Sequence, residues 1–523
     1  HVAARMFANF FRALGGDVNE LRLKSNNDSS ATSIVWVRAQ WGTIDIANTK
    51  ITSWDAVANG PDTEYSAYKR AFIRVRSFLE SDGLTARESR MDIRASEIAY
   101  LGYYAAESYG LVWKVSGTTA GRFDKVNVYG DVTDSHLHHN YFGMYTYGAY
   151  GMQITGNEVN NSVQYGIDPH DDSDYLTIEN NNSHDNGTHG IICSQRCDHL
   201  TIRGNLSHHN TGHGIMLHRN TNQTLVENNQ TYSNGDTGLA VFDSHDNTIR
   251  GNSSWENKNG LRLSVGSSNN TVEDNDLRNN AAYGLYFFKG SDTPTAGDGR
   301  PKNNIFRDNT IANNTSYAIL LKQADQNLFE RNQLQANGKG VSFYDSRDNV
   351  FTQNPLTNLS LNYFESKSGS KNIIQDTDNA SVKMIDSDTA MSIINTKSYI
   401  SKNTKNLATT ADPTQTTILQ TRALTTSVVD YVRLNFTAKP TTGNVVIKPI
   451  VWQTGDNTSY QWQAKGAEAG QTVNYVIGDL TPGKSYNVTV DSTLWNSFTA
   501  DSSGKISFSY TDNDTTEKTF NLN

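Results

Sequence analysis

The sequence predicts an all-β chain, a right-handed parallel β-helix followed by a small C-terminal β-sandwich. Three observations carry that expectation. Glycines recur every 22 to 24 residues at Gly143, Gly166, Gly190, Gly214, Gly238, Gly260 and Gly284, and Ala318 and Gly340 continue the series after an insertion. Each unit holds a second short β-patterned run, such as Leu176-Thr-Ile, Leu200-Thr-Ile, Thr248-Ile or Leu328-Phe. Each run then meets a polar corner carrying Asn180, Asn205, Asn228, Asn252, Asn275, Asn309, Asn332 or Asn354. One such unit leaves its apolar face open, and stacking many of them buries it. Asn suits the corners because it tolerates the left-handed conformation and its amide can bond the same amide one coil away. A leucine-rich repeat has a similar period but needs leucine at several fixed positions, which this chain lacks.

Taken in order, residues 1–20 carry a helix-like pattern from Val2 to Leu14 and are expected to cap the open end of the solenoid. Ile34-Val-Trp-Val-Arg, Gly42-Thr-Ile-Asp-Ile, Ala71-Phe-Ile-Arg-Val and Met91-Asp-Ile-Arg read as less regular early coils, so the β-helix is placed over 21–375. Gly290 to Pro301 is an inserted loop expected to border the binding face. Periodicity fades after residue 375, and 376–427, rich in Thr, Ser and Asn, reads as a linker. Alternating runs such as Tyr431-Val-Arg-Leu-Asn-Phe and Ile506-Ser-Phe-Ser-Tyr place the sandwich at 428–523. Within it, Leu480-Thr-Pro-Gly-Lys-Ser-Tyr486 is similar to the tyrosine corner of fibronectin-III-like domains. Trp452, Trp462 and Trp495 are expected in its core or on ordinary surface.

Composition narrows the function. The 523 residues include 36% hydrophobic, 10% aromatic and 19% charged residues and nine prolines, a polar but not disordered chain. A net charge of −9 makes nucleic acid an unfavoured partner, since phosphate binding rests on clustered Lys and Arg. No apolar run approaches the ~20 residues that span a bilayer. Two cysteines, Cys193 and Cys197, exclude a disulfide scaffold and a Cys-based zinc site, and read as one buried thiol and one turn thiol. A chain that begins at His1 is what removal or omission of a leader would leave.

Side chains alternate across a strand, so the apolar pairs Ile167/Pro169, Ile191/Cys193, Ile215/Leu217, Leu239/Val241 and Leu261/Leu263 should face the core. The outward columns are then Tyr145/Tyr147, Asp168/His170, Ile192/Ser194, Met216/His218, Ala240/Phe242 and Arg262/Ser264. Tyr165, His189 and His213 form a further column just before the glycines. Pro169 breaks a local rule, because proline inside a parallel ladder removes a hydrogen bond. Such breaks concentrate where strain serves geometry. Arg196, Arg219, Arg262 and Lys289 lie near these columns and can pair with carboxylates. A locally basic groove on an acidic body is therefore expected.

At these residues a resemblance enters. Tyr165-Gly-Ile-Asp-Pro-His-Asp-Asp-Ser-Asp resembles the Asp-Pro-His-Asp signature of mannuronan (alginate) C5-epimerases. His184-Asp-Asn-Gly-Thr-His-Gly-Ile-Ile-Cys-Ser-Gln-Arg-Cys, Gly214-Ile-Met-Leu-His-Arg, Gly260-Leu-Arg-Leu-Ser-Val-Gly and Ser96-Glu-Ile-Ala-Tyr-Leu-Gly-Tyr are similar to the brown-algal type and its bacterial relatives. The likeness covers residues 30 to 350. It implies an isomerase that converts β-D-mannuronate to α-L-guluronate within the polymer, by taking the C5 proton on one face and returning one on the other. By the same resemblance Asp168, in its protonated form, neutralises or orients the sugar carboxylate, His170 is the base and Tyr165 the opposite-face donor. Asp171, His189, Ser194, His218 and the four cations would line the substrate. Which of His170 and Tyr165 acts first stays open at this point.

The chain departs from the family twice: Val163 stands where some bacterial members have histidine, and no Gly-Gly-x-Gly-x-Asp calcium repeat occurs. No cofactor or metal is therefore expected, and a calcium requirement has no motif behind it. The rivals are a polyuronate lyase sharing the first half-reaction, a hydrolase built on Asp168, Asp171 and Asp172, and a non-catalytic adhesin. The expected partner is an anionic polysaccharide such as alginate, without nucleic acid or a membrane span. The expected state is a monomer, secreted or at the cell surface.

Overall fold

The structure is a computed structural model that describes residues 20–24, 36–66, 69–105, 107–359, 361–369, 372–375, 380–384, 391–394, 398–400, 409–411, 417–424, 429–453 and 458–523. The cap expected over residues 1–20 lies almost wholly outside them. Two compact units form: one runs to Gly284 and takes in Lys289–Pro301, the other is Leu285–Phe288 with Lys302–Asn523.

The first unit is a right-handed parallel β-helix of three sheets. The sheet that carries the candidate site contains Phe72–Leu79, Gly110–Ser116, Phe142–Tyr147, Ile167–His170, Ile191–Ser194, Ile215–His218, Thr237–Phe242 and Asn259–Ser264, all parallel. One column runs through the site: Arg74 pairs Val112, Val112 pairs Tyr145 just past a register shift between Gly110 and Val112, and Tyr145 pairs Asp168. One column over, Arg76, Lys114, Tyr147, His170, Ser194, His218, Phe242 and Ser264 follow one another coil by coil. Adjacent coils are ~4.8 Å apart, so each column is a row of side chains along the solenoid.

The core is the apolar stack the alternation predicts. Met144, Ile167, Ile191, Leu217, Leu239, Val241, Leu261 and Leu263 are all buried. The recurring glycines are needed because neighbouring coils approach too closely for a side chain. A Cβ on Gly190 would lie 2.1 Å from Ser207 Oγ, and one on Gly166 would lie 2.4 Å from Ser183 Oγ.

The corners are held by asparagine ladders. Asn157, Asn181, Asn205, Asn229, Asn252 and Asn275 each accept, through the side-chain oxygen, the backbone N–H of the corner residue one coil earlier, or are joined the same way to the next coil (2.9–3.0 Å). Asn186, Asn210, Asn234, Asn257 and Asn280 repeat this at a second corner. The sequence pattern is one residue out at two places. Asn180 and Asn228 take the left-handed conformation (φ 56° and 55°), and their neighbours Asn181 and Asn229 occupy the ladder.

The second unit repeats the parallel register in Ile305–Arg307, Leu328–Glu330, Val350–Thr352 and Asn372–Gln375. Parallel pairing continues into the stretch expected to be a linker: Phe364 pairs Val382, Ile374 pairs Ile393, and Ala380 pairs Ser398. An antiparallel hairpin, Thr417–Leu424 with Val429–Pro440, then leads into two antiparallel sheets. Phe436, Trp462, Tyr475, Tyr486, Val488, Phe508 and Phe520 fill the core between them. The tyrosine corner forms, with Thr481 N donating to the Tyr486 hydroxyl at 2.9 Å. Trp462 is buried, Trp495 packs on Phe498, Phe508 and Tyr510, and the side chain of Trp452 lies outside the described residues.

Candidate active site

Strand Ile167–His170 places Ile167 and Pro169 in the core and turns Asp168 and His170 to the outer face. Outward does not mean exposed. Asp168 is 1% exposed, because Val112, Tyr141, Phe142 and Tyr145 form a cluster beside it, joined by Tyr109 and Tyr165. Neither carboxyl oxygen of Asp168 has a hydrogen-bond partner. Burial pushes its pKa up to about 7, with Asp171 adding to the rise and His170 opposing it. A carboxyl so placed prefers to keep its proton near neutral pH.

His170 is set by Asp171, whose Oδ2 pairs with Nδ1, leaving Nε2 at 3.5 Å from Gln195 Nε2. Burial alone would lower the His170 pKa, but the Asp171 hydrogen bond and the charges of Asp168 and Asp171 together raise it. Arg196 in turn donates to Asp171 and to Asp172, the latter at 2.9 Å. Two carboxylates thus share one guanidinium, and the cluster cannot neutralise a further anion on its own.

Tyr165 stands at the head of a ring column. Its ring stacks on His189 (centroids 5.4 Å, 12°), and His189 stacks on His213 (4.8 Å, 15°). Nδ1 of His189 accepts the His213 N–H at 2.9 Å, and Nδ1 of His213 accepts the Thr237 N–H at 3.2 Å. Those bonds fix the ring tautomers, with the proton on Nε2. Burial lowers His189 to about 3 and His213 to about 4, so the column is uncharged. Burial, followed by Asp168 and Tyr141, raises the Tyr165 phenol and keeps its proton on.

The other expected residues are spread along the same trough. Ser194 is buried with its hydroxyl 2.9 Å from His218 Nδ1, and burial lowers His218 to about 4. Arg219 is exposed beside it. Arg262 lies over the Phe242 ring at 4.5 Å and donates to Ser264 Oγ at 3.0 Å. Lys289 runs alongside Gly299 in the inserted loop. That loop does reach the trough: Thr295 donates its N–H (2.8 Å) and hydroxyl (2.5 Å) to Asp243, next to Phe242 in the His170 column. Tyr165, Asp168, His170 and Asp171 come together, Ser194 and His218 follow one and two coils on, and Arg262 and Lys289 sit at the far end. Cys193 lies buried in strand Ile191–Ser194, and Cys197 follows the bend after it; both are free and both are buried.

Sequence reading missed two sets of residues. The first is the aromatic cover of Tyr109 and Tyr141; with them Tyr145, expected to face outward, is buried 5.6 Å from the His170 ring, its pKa raised by burial and by Asp168. The second is the basic part of the trough, which lies upstream. Arg74, Arg76 and Lys114 line a cleft of about 280 Å³ with Glu107, Ser116 and Gly117. Arg122 donates to the Tyr147 hydroxyl at 2.8 Å in the same column as His170. Strand alternation also turns Arg74, Arg76 and Lys114 outward. Sequence spacing does not align them with the later coils, because the early coils are irregular, with a register shift between Gly110 and Val112.

A family model described as periplasmic copper-binding protein (NosD) matches residues 113–232, 143–295 and 299–379, together just over half of the chain. Among curated proteins, the mannuronan C5-epimerase AlgG of Azotobacter vinelandii is 32% identical over 169 residues, 32% of this chain and 29% of that protein. A mannuronan C5-epimerase of Pseudomonas fluorescens is 31% identical over 141 residues, 27% of this chain and 25% of that protein. The chain thus spans less than a third of the curated relatives it matches, and the resemblance read from the Asp168 motif is borne out at the level of family likeness. A solved structure, a mutant form of the periplasmic alginate epimerase AlgG, aligns with a TM-score of 0.53 at 24% identity over 60% of this chain and 73% of that one. It agrees on the fold. The copper in the family description finds no fitting donor set. Among the described residues no group of three or more His, Cys, Asp or Glu side chains could hold a metal ion. Both thiols are pushed up by burial, away from the thiolate form a soft metal needs.

Proposed function

We propose that this chain, which belongs to the family described as periplasmic copper-binding protein (NosD), epimerises mannuronate to guluronate residues inside an alginate-type polymer. The observation that carries this reading is the Asp168 carboxyl, buried, without a hydrogen-bond partner and flanked by a phenol and an imidazole. The C5 proton of a uronate is α to a carboxylate, and its removal builds a second negative charge on that group. A preorganised donor must meet the charge where it develops. Protonated Asp168 supplies one at the sugar carboxylate.

In this reading His170 Nε2 takes the C5 proton, and Asp171 holds the ring and stabilises the imidazolium that forms. The electron pair of the broken C–H bond moves onto the carboxylate that Asp168 meets. The Tyr165 phenol then gives its proton to C5 on the opposite face, which inverts the centre. Solvent restores the phenol and removes the proton from His170, so one solvent hydrogen enters the sugar per turnover. The neutral His189–His213 column beside Tyr165 keeps a uronate from pairing with a cation on the donor side. No cofactor takes part in these steps. The upstream cations Arg74, Arg76, Lys114 and Arg122 suit a polyanion whose charges must be met one after another along the trough.

The names of the relatives support this assignment, as does their description as periplasmic for a location outside the cytoplasm. Among the described residues no helix is long and apolar enough to cross a membrane. The test is polymannuronate incubated with the chain in heavy water and followed by proton NMR. Guluronate signals, deuterium at C5 and unchanged chain length are expected, and Asp168→Ala should slow the exchange by about 10² or more. Chain shortening with growing ultraviolet absorbance would instead mean a lyase, and a silent spectrum would overturn the reading.

A further inference from the structure

We propose that Tyr65, Tyr104, Tyr109 and Tyr141 form a stacking subsite for a sugar ring of the same polymer, upstream of the reacting residue; the inference rests on the function proposed above. Tyr104 is 70% exposed and Tyr65 49%. Each ring touches the buried wall of the site. Tyr104 lies 6.2 Å from both Tyr109 and Tyr141, and Tyr65 lies 6.3 Å from Tyr141. Tyr109 then meets Tyr145 edge-on at 5.1 Å, and Tyr145 pairs in register with Asp168. An unbroken run of aromatic rings leads from solvent to the reactive carboxyl.

The wall is held in place. The turn that bears Tyr104 is closed by Tyr103 N to Ser108 O and Ser108 N to Ala105 O, both 2.9 Å. Glu107 in this turn adopts φ 50°. Its carboxylate pairs with Lys114 at 2.6 Å, and its carbonyl accepts from Arg74 at 3.3 Å. Tyrosine rings and cations are thereby fixed together upstream of His170. A uronate offers matching surfaces, an apolar C–H ring face and a carboxylate. A polymer bound across Asp168 and following the trough must pass this wall, since each coil advances it by ~4.8 Å. Exposed tyrosines suit such a surface, with an apolar body for the ring face and a hydroxyl left in water.

The experiment compares the wild-type full chain with Tyr104→Ala and Tyr104→Trp, measuring polymannuronate affinity by calorimetry, kcat and KM by C5 exchange, and oligomeric state by size-exclusion chromatography. Tyr104→Ala should weaken Kd and raise KM about fivefold, with kcat changed much less, and Tyr104→Trp should restore both. Unchanged Kd and KM in the alanine variant, or an equal loss in the tryptophan variant, overturns the subsite. A dimer lost in the alanine variant with Kd intact also overturns it, because the wall then serves a second protein chain. Wild-type protein that binds polymannuronate without C5 exchange would end the epimerase reading while leaving the subsite to be judged by Kd. No binding at all ends both.

Discussion

The corners of the first solenoid unit and the strand Ile167–His170 treat buried polar groups in opposite ways. At the corner, Asn229 is 1% exposed and every polar atom is used. Its N–H and Nδ2 reach Asn252 Oδ1, Nδ2 also reaches the Ile202 carbonyl, and its own oxygen accepts twice from Asn205. Asp168 is equally buried, and neither oxygen has a partner. The same chain, at the same depth, satisfies one group fully and leaves the other empty. Among the described residues Asp168 is the carboxyl with both oxygens buried and unpaired, and a fold able to tile amides so completely marks there a place for something from outside.

The largest effect should come from breaking the satisfied region. Asn229→Ala leaves the Asn205 N–H without its acceptor, takes one of the two acceptors of Asn205 Nδ2 and removes a donor from the Ile202 carbonyl, at about 1–3 kcal/mol for each buried group left unsatisfied. Chemical denaturation should show several kcal/mol lost, while C5 exchange per folded molecule stays near wild type. A stable variant would mean that the ladder is decoration.

A smaller effect, of opposite sign, is expected from Asp168→Asn. A carboxyl with a folded pKa of about 7, against an ordinary 3.8, binds more protons folded than unfolded between those values. Its contribution to stability is therefore complete below pH 3.8 and is lost as pH rises through 7, by at most about 1.4 kcal/mol per pH unit. Asp171 runs the other way: burial would raise it, but the His170 hydrogen bond and Arg196 outweigh burial and lower it, so its contribution fades toward acid pH. The amide variant should lose the decline toward neutral pH and keep the acid limb. Parallel stability–pH curves for variant and wild type would contradict the burial account.

Much of this was legible in the sequence, and the limits have physical causes. The Gly166-to-Gly260 spacing located the coils because a Cβ at these glycines would collide with neighbouring side chains or backbone of the stack. The Asp-Pro-His-Asp run marked the site because proline in a ladder is rare. The burial of Asp168 was not legible, since its cover comes from Tyr109, Tyr141 and Tyr145 on other coils. Arg196 read as a ligand for substrate carboxylates, whereas Asp171 and Asp172 hold it. Only the three-dimensional register shows that Arg76 and Lys114, far upstream in sequence, share a column with His170.

The most direct test of the unpaired carboxyl is a ¹³C NMR titration of Asp168 in the full chain, assigned with Asp168→Asn and run with and without oligomannuronate. A midpoint near 7 that moves higher when the sugar carboxylate arrives is the expected result. A midpoint near the ordinary 3.8, unmoved by the oligosaccharide, would contradict it.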